Sequence, residues 1–284
     1  MTRLTCQIGA WNALPAAPPE VQIFAIGDVH GQADALAMAL DEIAATPRRA
    51  SHRRLIFLGD LIDRGPKSLR AIDLAGSASV RACVDEVIIL PGNHELMLLD
   101  ALADPMMFMG DWLDNGGDAV ILEALPTSNV TRLAEFAEIA RAAIPGWFLD
   151  EMRTGPTWHH AGALLFVHAG LNPHADPLEF LSQERLGVYG SDHWAWIRGP
   201  FLDWTGGWGL KRDWKIIHGH SPAIREVSDL EKFIAKADRI TSHGRLCLDA
   251  GSATDLPQIA WAEFHQGHYR IGLAAPSIKG PYTI

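Results

Sequence analysis

The chain is 284 residues long, room for one or two domains with a substantial buried core. Its 34 Asp plus Glu outnumber 24 Lys plus Arg, a formal net charge of −10, which argues against duplex nucleic acid held through its phosphates and reads as solubility. Its three cysteines, Cys6, Cys83 and Cys247, are far apart and suggest neither a disulfide framework nor a zinc ribbon, so a reducing, cytoplasmic setting is expected.

Met1 to Glu20, with Pro15, Pro18 and Pro19, reads as a loosely ordered leader that Trp11 could pack onto the domain. It lacks the continuous apolar segment of a signal peptide, and no run approaches the ~18 apolar residues of a membrane span. Val21-Gln22-Ile23-Phe24-Ala25-Ile26 then reads as a buried strand running into Gly27-Asp28-Val29-His30-Gly31. Asp28 and His30 stand two apart, so an extended backbone sends both to one side, where they can grip one ion. Leu36, Leu40 and Ile43 follow at helical spacing, with Asp34 in the first turn.

A second buried run, Leu55-Ile56-Phe57-Leu58, leads into Gly59-Asp60-Leu61-Ile62-Asp63-Arg64-Gly65. Asp60, at the strand's end, is suited to ligate metal. Asp63 can orient an acid or base, and Arg64 can fork onto a phosphate. Pro66 suits the first turn of a helix that Gly76 stops. The third run, Val87-Ile88-Ile89-Leu90, ends in Pro91-Gly92-Asn93-His94-Glu95. Adjacent side chains diverge, so Asn93 can face a metal while His94 faces whatever that metal has bound. The resulting β-α-β-α-β unit brings all three loops to one sheet edge.

Residues of about 96–160, rich in Ala, Leu, Glu and Trp, form an expected helical insertion, of which 132–143 either caps the site edge or is purely structural. Residues 163–167 read as a strand ending at His168, and 215–217 as a strand leading to His218-Gly219-His220. Strands at 245–249 and 258–261 are expected to complete a second sheet. The tryptophans around Arg198 (Trp194, Trp196, Trp204, Trp208 and Trp214) are read as packing in preference to an aromatic wall beside a groove.

The three strand-end blocks resemble the signature blocks of the phosphoprotein phosphatase branch of the calcineurin-like metallophosphoesterases, in its bacterial form. The Asp-Arg-Gly ending of the second block is characteristic of that branch. The resemblance extends to Phe166-Val167-His168-Ala169-Gly170, Trp196-Ile197-Arg198, His218-Gly219-His220 and Leu248-Asp249-Ala250-Gly251, and so covers about 21–253. Ala250 stands where the late strand often has Thr.

The resemblance implies an α/β fold: a two-sheet β-sandwich flanked by helices, with one domain over 21–284 that includes the insertion. It implies two divalent ions, manganese first, with iron or zinc as the other candidates. Asp28, His30 and bridging Asp60 would hold one; Asp60, Asn93, His168 and His220 the other. His218 is then structural. His94, oriented by Asp63, would protonate the leaving group, with Arg64 and Arg198 on the phosphoryl oxygens. The implied reaction is hydrolysis of phosphoserine and phosphothreonine on proteins, and of phosphotyrosine as a further case, by in-line attack of a metal-bridging hydroxide. One alternative is a symmetrical dinucleoside tetraphosphate hydrolase, whose third block usually ends in Asp where this chain has Glu95. A lower-ranked one is an inactive phosphopeptide-binding module, disfavoured because every expected ligand and catalytic position is filled. No obligate regulatory subunit is expected.

Overall fold

Strand β3 (Val21–Ile26) shows why its run is apolar throughout: Ile23 and Ala25 face one core, and Phe24 and Ile26 the opposite one. β4 (His52–Phe57) repeats the pattern, with Ile56 on the first side and Leu55 and Phe57 on the second. Strands covered on both faces lose the in/out alternation of a half-exposed sheet. The computed structural model describes residues 3–14, 16–18, 20–127, 130–187, 190–225, 229–254 and 256–277.

β3, β4 and β5 (Glu86–Ile89) are parallel, with Ile26 opposite Phe57 and Phe57 opposite Ile89. They continue a seven-stranded sheet in the order β1-β12-β11-β3-β4-β5, in which β1 is Leu4–Ile8, β11 Ile259–His265 and β12 His268–Pro276; β2 (Asn12–Ala13) pairs with β12. The second sheet runs β6-β7-β8-β10-β9: Trp158–Ala161, Leu164–Val167, Lys215–His218, Arg245–Cys247 and Asp238–Arg239. Ile23, Ile56 and Leu58 of the first sheet share a buried cluster with Leu164, Phe166 and Ile217 of the second, which makes the two-sheet sandwich. Helix α1 (Ala33–Ala45) covers the outer face of the first sheet with Leu36, Leu40 and Ile43, joined by α2 (Ser68–Gly76) and the short α3 (Ala78–Arg81). α4 (Asn93–Ala103) and α5 (Pro105–Trp112) begin the helical region, which continues through a turn kinked at Gly116 (Leu113–Gly117) to helices Asp118–Ala124, Leu133–Ala143 and Gly146–Thr154.

Three expectations change. The strand expected to begin at 258 joins the first sheet, not the second: β11 lies antiparallel to β3, Trp261 opposite Ile26. Residues 4–8, read as part of a loosely ordered leader, form an edge strand paired with β12, and Trp11 lies beneath the guanidinium groups of Arg49 and Arg270. Pro15 and Pro19 fall outside the described residues. Residues 158–161, at the far end of the expected insertion, are strand β6, antiparallel to β7. Among the described residues no helix is long and apolar enough to cross a membrane.

Candidate metal centre

The site forms where the parallel strands of both sheets stop, and the backbone there is strained. Eight described non-glycine residues have positive φ, and five of them, His30 (44°), Asp60 (52°), Asp63 (72°), Arg64 (68°) and His220 (64°), lie in these loops. Such conformations cost ~1–3 kcal/mol each and persist where surrounding structure enforces them.

Asp60 is the hub. Its Oδ2 lies 3.5 Å from His30 Nε2 and 3.4 Å from His168 Nε2, and its Oδ1 accepts the His94 backbone N–H at 3.1 Å. Two groups of buried donor atoms result, each within a 4.8 Å span and sharing Asp60: His30, Asp60 and His94, and Asp60, His168 and His220. The Asn93 side-chain oxygen joins the second group, 3.1 Å from His168 Nε2 and 2.8 Å from His220 Nδ1.

Backbone carbonyls choose the imidazole atoms that point inward. His30 Nδ1 donates to Ile62 O (3.0 Å) and His168 Nδ1 to Leu58 O (2.8 Å), which turns each Nε2 toward the centre. His220 is reversed: Nε2 donates to Trp196 O at 3.2 Å, and Nδ1 faces inward. Lone pairs from a carboxylate, an amide and imidazoles that converge in a buried space need a cation or a proton between them. Burial pushes His30 down to about 3 and His94 to about 4, so both are neutral imidazoles. Burial works against charge on His168 too, yet adjacent Asp60 raises it to about 9. Asp60, despite burial, is held well below the carboxylate range by His168 and His94. Buried, preformed and free of thiolate, this donor set fits two hard or borderline divalent ions.

The backbone from Asp28 to His30 is not the extended one that the reading of one shared side assumed. The chain turns left-handed at His30 instead of staying extended, and both Asp28 carboxylate oxygens accept the His220 backbone N–H at 3.0 Å. With His30 facing Asp60, the first loop is tied to the His220 backbone through Asp28. Burial and then Asp249 hold its carboxyl well above the usual range. Asn93 and His94 do diverge, as the first two residues of helix α4. The His94 Nδ1–H donates to Asp63 Oδ2 at 2.7 Å, and the Trp112 indole N–H donates to both Asp63 oxygens at 3.1 and 3.0 Å.

Glu95 is fully buried and turned away from the opening. One carboxylate oxygen accepts the backbone N–H groups of Asp60 (2.9 Å) and Gly92 (2.8 Å), and the other that of Leu61 (2.8 Å). It bolts the second loop to the third. The opening itself is a cleft of about 330 Å³ lined by His30, His220 and Asp249 and by three arginines, Arg64, Arg198 and Arg225. Arg198 Nε donates to Ser221 Oγ at 3.2 Å. The Arg225 carbonyl accepts from Gln258 Nε2 at 2.7 Å, which pins its backbone at the rim. Sequence reasoning missed Arg225, which sits in no motif, and Trp112, which looked like one more apolar residue of the insertion. His218 is buried and donates from Nδ1 to Gly219 O. Trp194 and Trp208 are core residues.

The family profile of the calcineurin-like phosphoesterases matches residues 21–244. The chain belongs to that family. It is a metal-dependent phosphoesterase with a binuclear centre of His and Asp, and its fold is the α/β metallophosphoesterase sandwich. A symmetrical bis(5'-nucleosyl)-tetraphosphatase of Dechloromonas aromatica is 33% identical over 150 residues, which is 53% of this chain and 44% of that protein. The phosphoesterase thus matches less than half of that relative's length. An asymmetrical bis(5'-nucleosyl)-tetraphosphatase of Bacillus velezensis is 27% identical over 222 residues, covering 70% of this chain and 77% of that one. Serine/threonine-protein phosphatase 1 of Salmonella typhimurium is 38% identical over 96 residues, 34% of this phosphoesterase and 39% of the relative.

Proposed function

We propose that this phosphoesterase hydrolyses dinucleoside tetraphosphates. The observation that carries the reading is the third arginine: a monoester presents one phosphoryl group, which Arg64 and Arg198 can compensate, whereas Arg225 on the same cleft supplies charge for a further phosphate. Two tetraphosphatase relatives, one of which aligns over 70% of this chain, support the same choice. The sequence expectation favoured phosphoproteins because of Glu95. That residue grips three backbone N–H groups inside the fold, so it is a poor guide to what enters the cleft.

In this reading Asp28, His30 and Asp60 hold one ion, and Asp60, Asn93, His168 and His220 the other. When bound, two divalent ions activate water and polarise the phosphoryl oxygen, whichever of manganese, iron or zinc they are. His94 would take up a proton at Nε2 once the substrate phosphate lies beside it and pass that proton to the departing oxygen, while Asp63 accepts the Nδ1–H and keeps the ring aligned. Arg64 and Arg198 compensate charge on the reacting phosphoryl group, and Arg225 binds its neighbour.

The test is kcat/KM in one buffer with one metal for diadenosine tetraphosphate against phosphoseryl, phosphothreonyl and phosphotyrosyl peptides. A preference of ~100-fold for the dinucleotide is expected, about 2.7 kcal/mol of differential transition-state binding. Arg225→Ala should remove most of that preference with little effect on peptides. A peptide preference would return the assignment to a protein phosphatase, the reading that the Salmonella relative supports. Product analysis separates symmetrical cleavage, two nucleoside diphosphates, from asymmetrical cleavage to a mono- and a triphosphate.

A further inference from the structure

We propose that Trp112 and the kinked turn that follows it are a two-pronged positioning element: the indole sets Asp63, and through it His94, while the turn's backbone sets Arg64. The inference rests on the assignment of His94 as proton donor made above. Asp63 and Trp112 are both fully buried, so no solvent competes for their contacts. Asp63 Oδ2 accepts the His94 Nδ1–H at 2.7 Å, and the indole N–H is shared between Oδ1 and Oδ2 at 3.1 and 3.0 Å. A donor shared by both oxygens fixes the rotation of the carboxylate plane. Since the His94 N–H points along one lone pair of that plane, the imidazole's direction is fixed with it.

The second prong is the turn Leu113–Gly117. An α-helix would spend its carbonyls on its own N–H groups four residues on, whereas here the backbone leaves the helical conformation at Gly116 (φ 107°) and the kink breaks that register. Two successive carbonyls are thereby turned toward the site: Gly116 O accepts the Arg64 backbone N–H at 2.9 Å, and Asn115 O accepts Arg64 Nε–H at 3.3 Å. The two glycines make the approach possible. Gly116 has φ 107° and lies so close that a Cβ would come 2.9 Å from Arg64 N; a Cβ on Gly117 would come 2.7 Å from Trp112 Nε1. One turn of the helical region thus touches the phosphate-binding arginine on one side and the proton-donor assembly on the other.

Trp112→Phe keeps an aromatic ring in the core and removes the N–H together with part of the indole, so the comparison of two leaving groups, which a cavity alone would affect equally, is the deciding readout. With the manganese-loaded enzyme, kcat on phenyl phosphate, whose leaving group needs a proton, should fall about tenfold, and kcat on p-nitrophenyl phosphate less than about twofold. Metal content by elemental analysis should match the wild type. Gly116→Ala should instead raise KM for both substrates by one common factor of about fivefold, because it displaces Arg64. Equal losses on the two substrates in Trp112→Phe, or none, would overturn the proposal. His94→Asn separates the two layers of the argument. If it shows the leaving-group dependence and Trp112→Phe does not, the positioning role alone falls. If neither shows it, the assignment of His94 as donor falls and takes the positioning role with it. In an Asp63→Asn background, Trp112→Phe should add almost nothing; full additivity would count against action through Asp63.

Discussion

Shortening Glu95 to Asp is the sharpest test of whether the third loop selects substrate or supports the scaffold. Removing one methylene retracts the carboxylate by ~1.5 Å. The three N–H···O distances, now 2.8 to 2.9 Å, would pass ~4 Å without adjustment, beyond hydrogen bonding. Helix α4 can follow only in part, because Asn93 and His94 at its start are buried against the other donors. If two of the three bonds survive, the loss is one bond to a charged acceptor, ~1.5–3 kcal/mol. For a chain of this size that lowers Tm by roughly 3–12 °C. The Asp60 and Leu61 backbone loosens at the same time, and outer supports of metal ligands typically cost ~10–100-fold in activity. The assay is a thermal melt together with kcat/KM on diadenosine tetraphosphate and on a phosphoseryl peptide. Both values should fall together, their ratio holding within about threefold, since Glu95 touches backbone only. A ratio that moves more than about tenfold toward the dinucleotide in a folded, metal-loaded variant would refute the reasoning and make this residue a specificity determinant.

Asp60→Asn should lose both ions and all activity together, because an amide carries no charge to hold two dications; a variant retaining one full equivalent of metal by elemental analysis would contradict the bridging role. Metal uptake should strengthen with pH. Adjacent Asp60 raises His168 to about 9, so below that pH the ion-free site holds this proton, and an entering ion must expel it. Affinity should therefore rise up to ~tenfold per pH unit and level off near 9, with proton release measured by calorimetry in buffers of different ionisation enthalpy; a pH-independent affinity would rule this out.

Much of the centre was legible because each donor loop directly follows a strand buried on both faces. Asp60, Asn93 and His168 could be read from apolar runs that stop at a ligand-type residue, and the parallel order of β3, β4 and β5 from the helical spacing between them. What escaped depends on contacts distant in sequence. Nothing local in 259–265 says that its partner is β3, and antiparallel edge strands such as β1 carry too short a pattern to announce themselves. The left-handed turn at His30 escaped as well, a conformation enforced by tertiary packing rather than by residue type. The Asn115-Gly116-Gly117 run was a turn signal, passed over because the surrounding composition is helical.

The placement of β11 has a consequence for synthesis. β3 carries Asp28 and His30 at its end and is made early, yet the neighbour on its outer flank is residues 259–265. At ~5–20 residues per second on the ribosome, that neighbour arrives roughly ten seconds to most of a minute later. Throughout that interval β3, paired with β4 on one side only, leaves its other apolar edge open to any chain that offers a strand. Yield in the cell is then governed by how well the first two hundred residues are shielded while they wait, and a slower ribosome would lengthen the exposure.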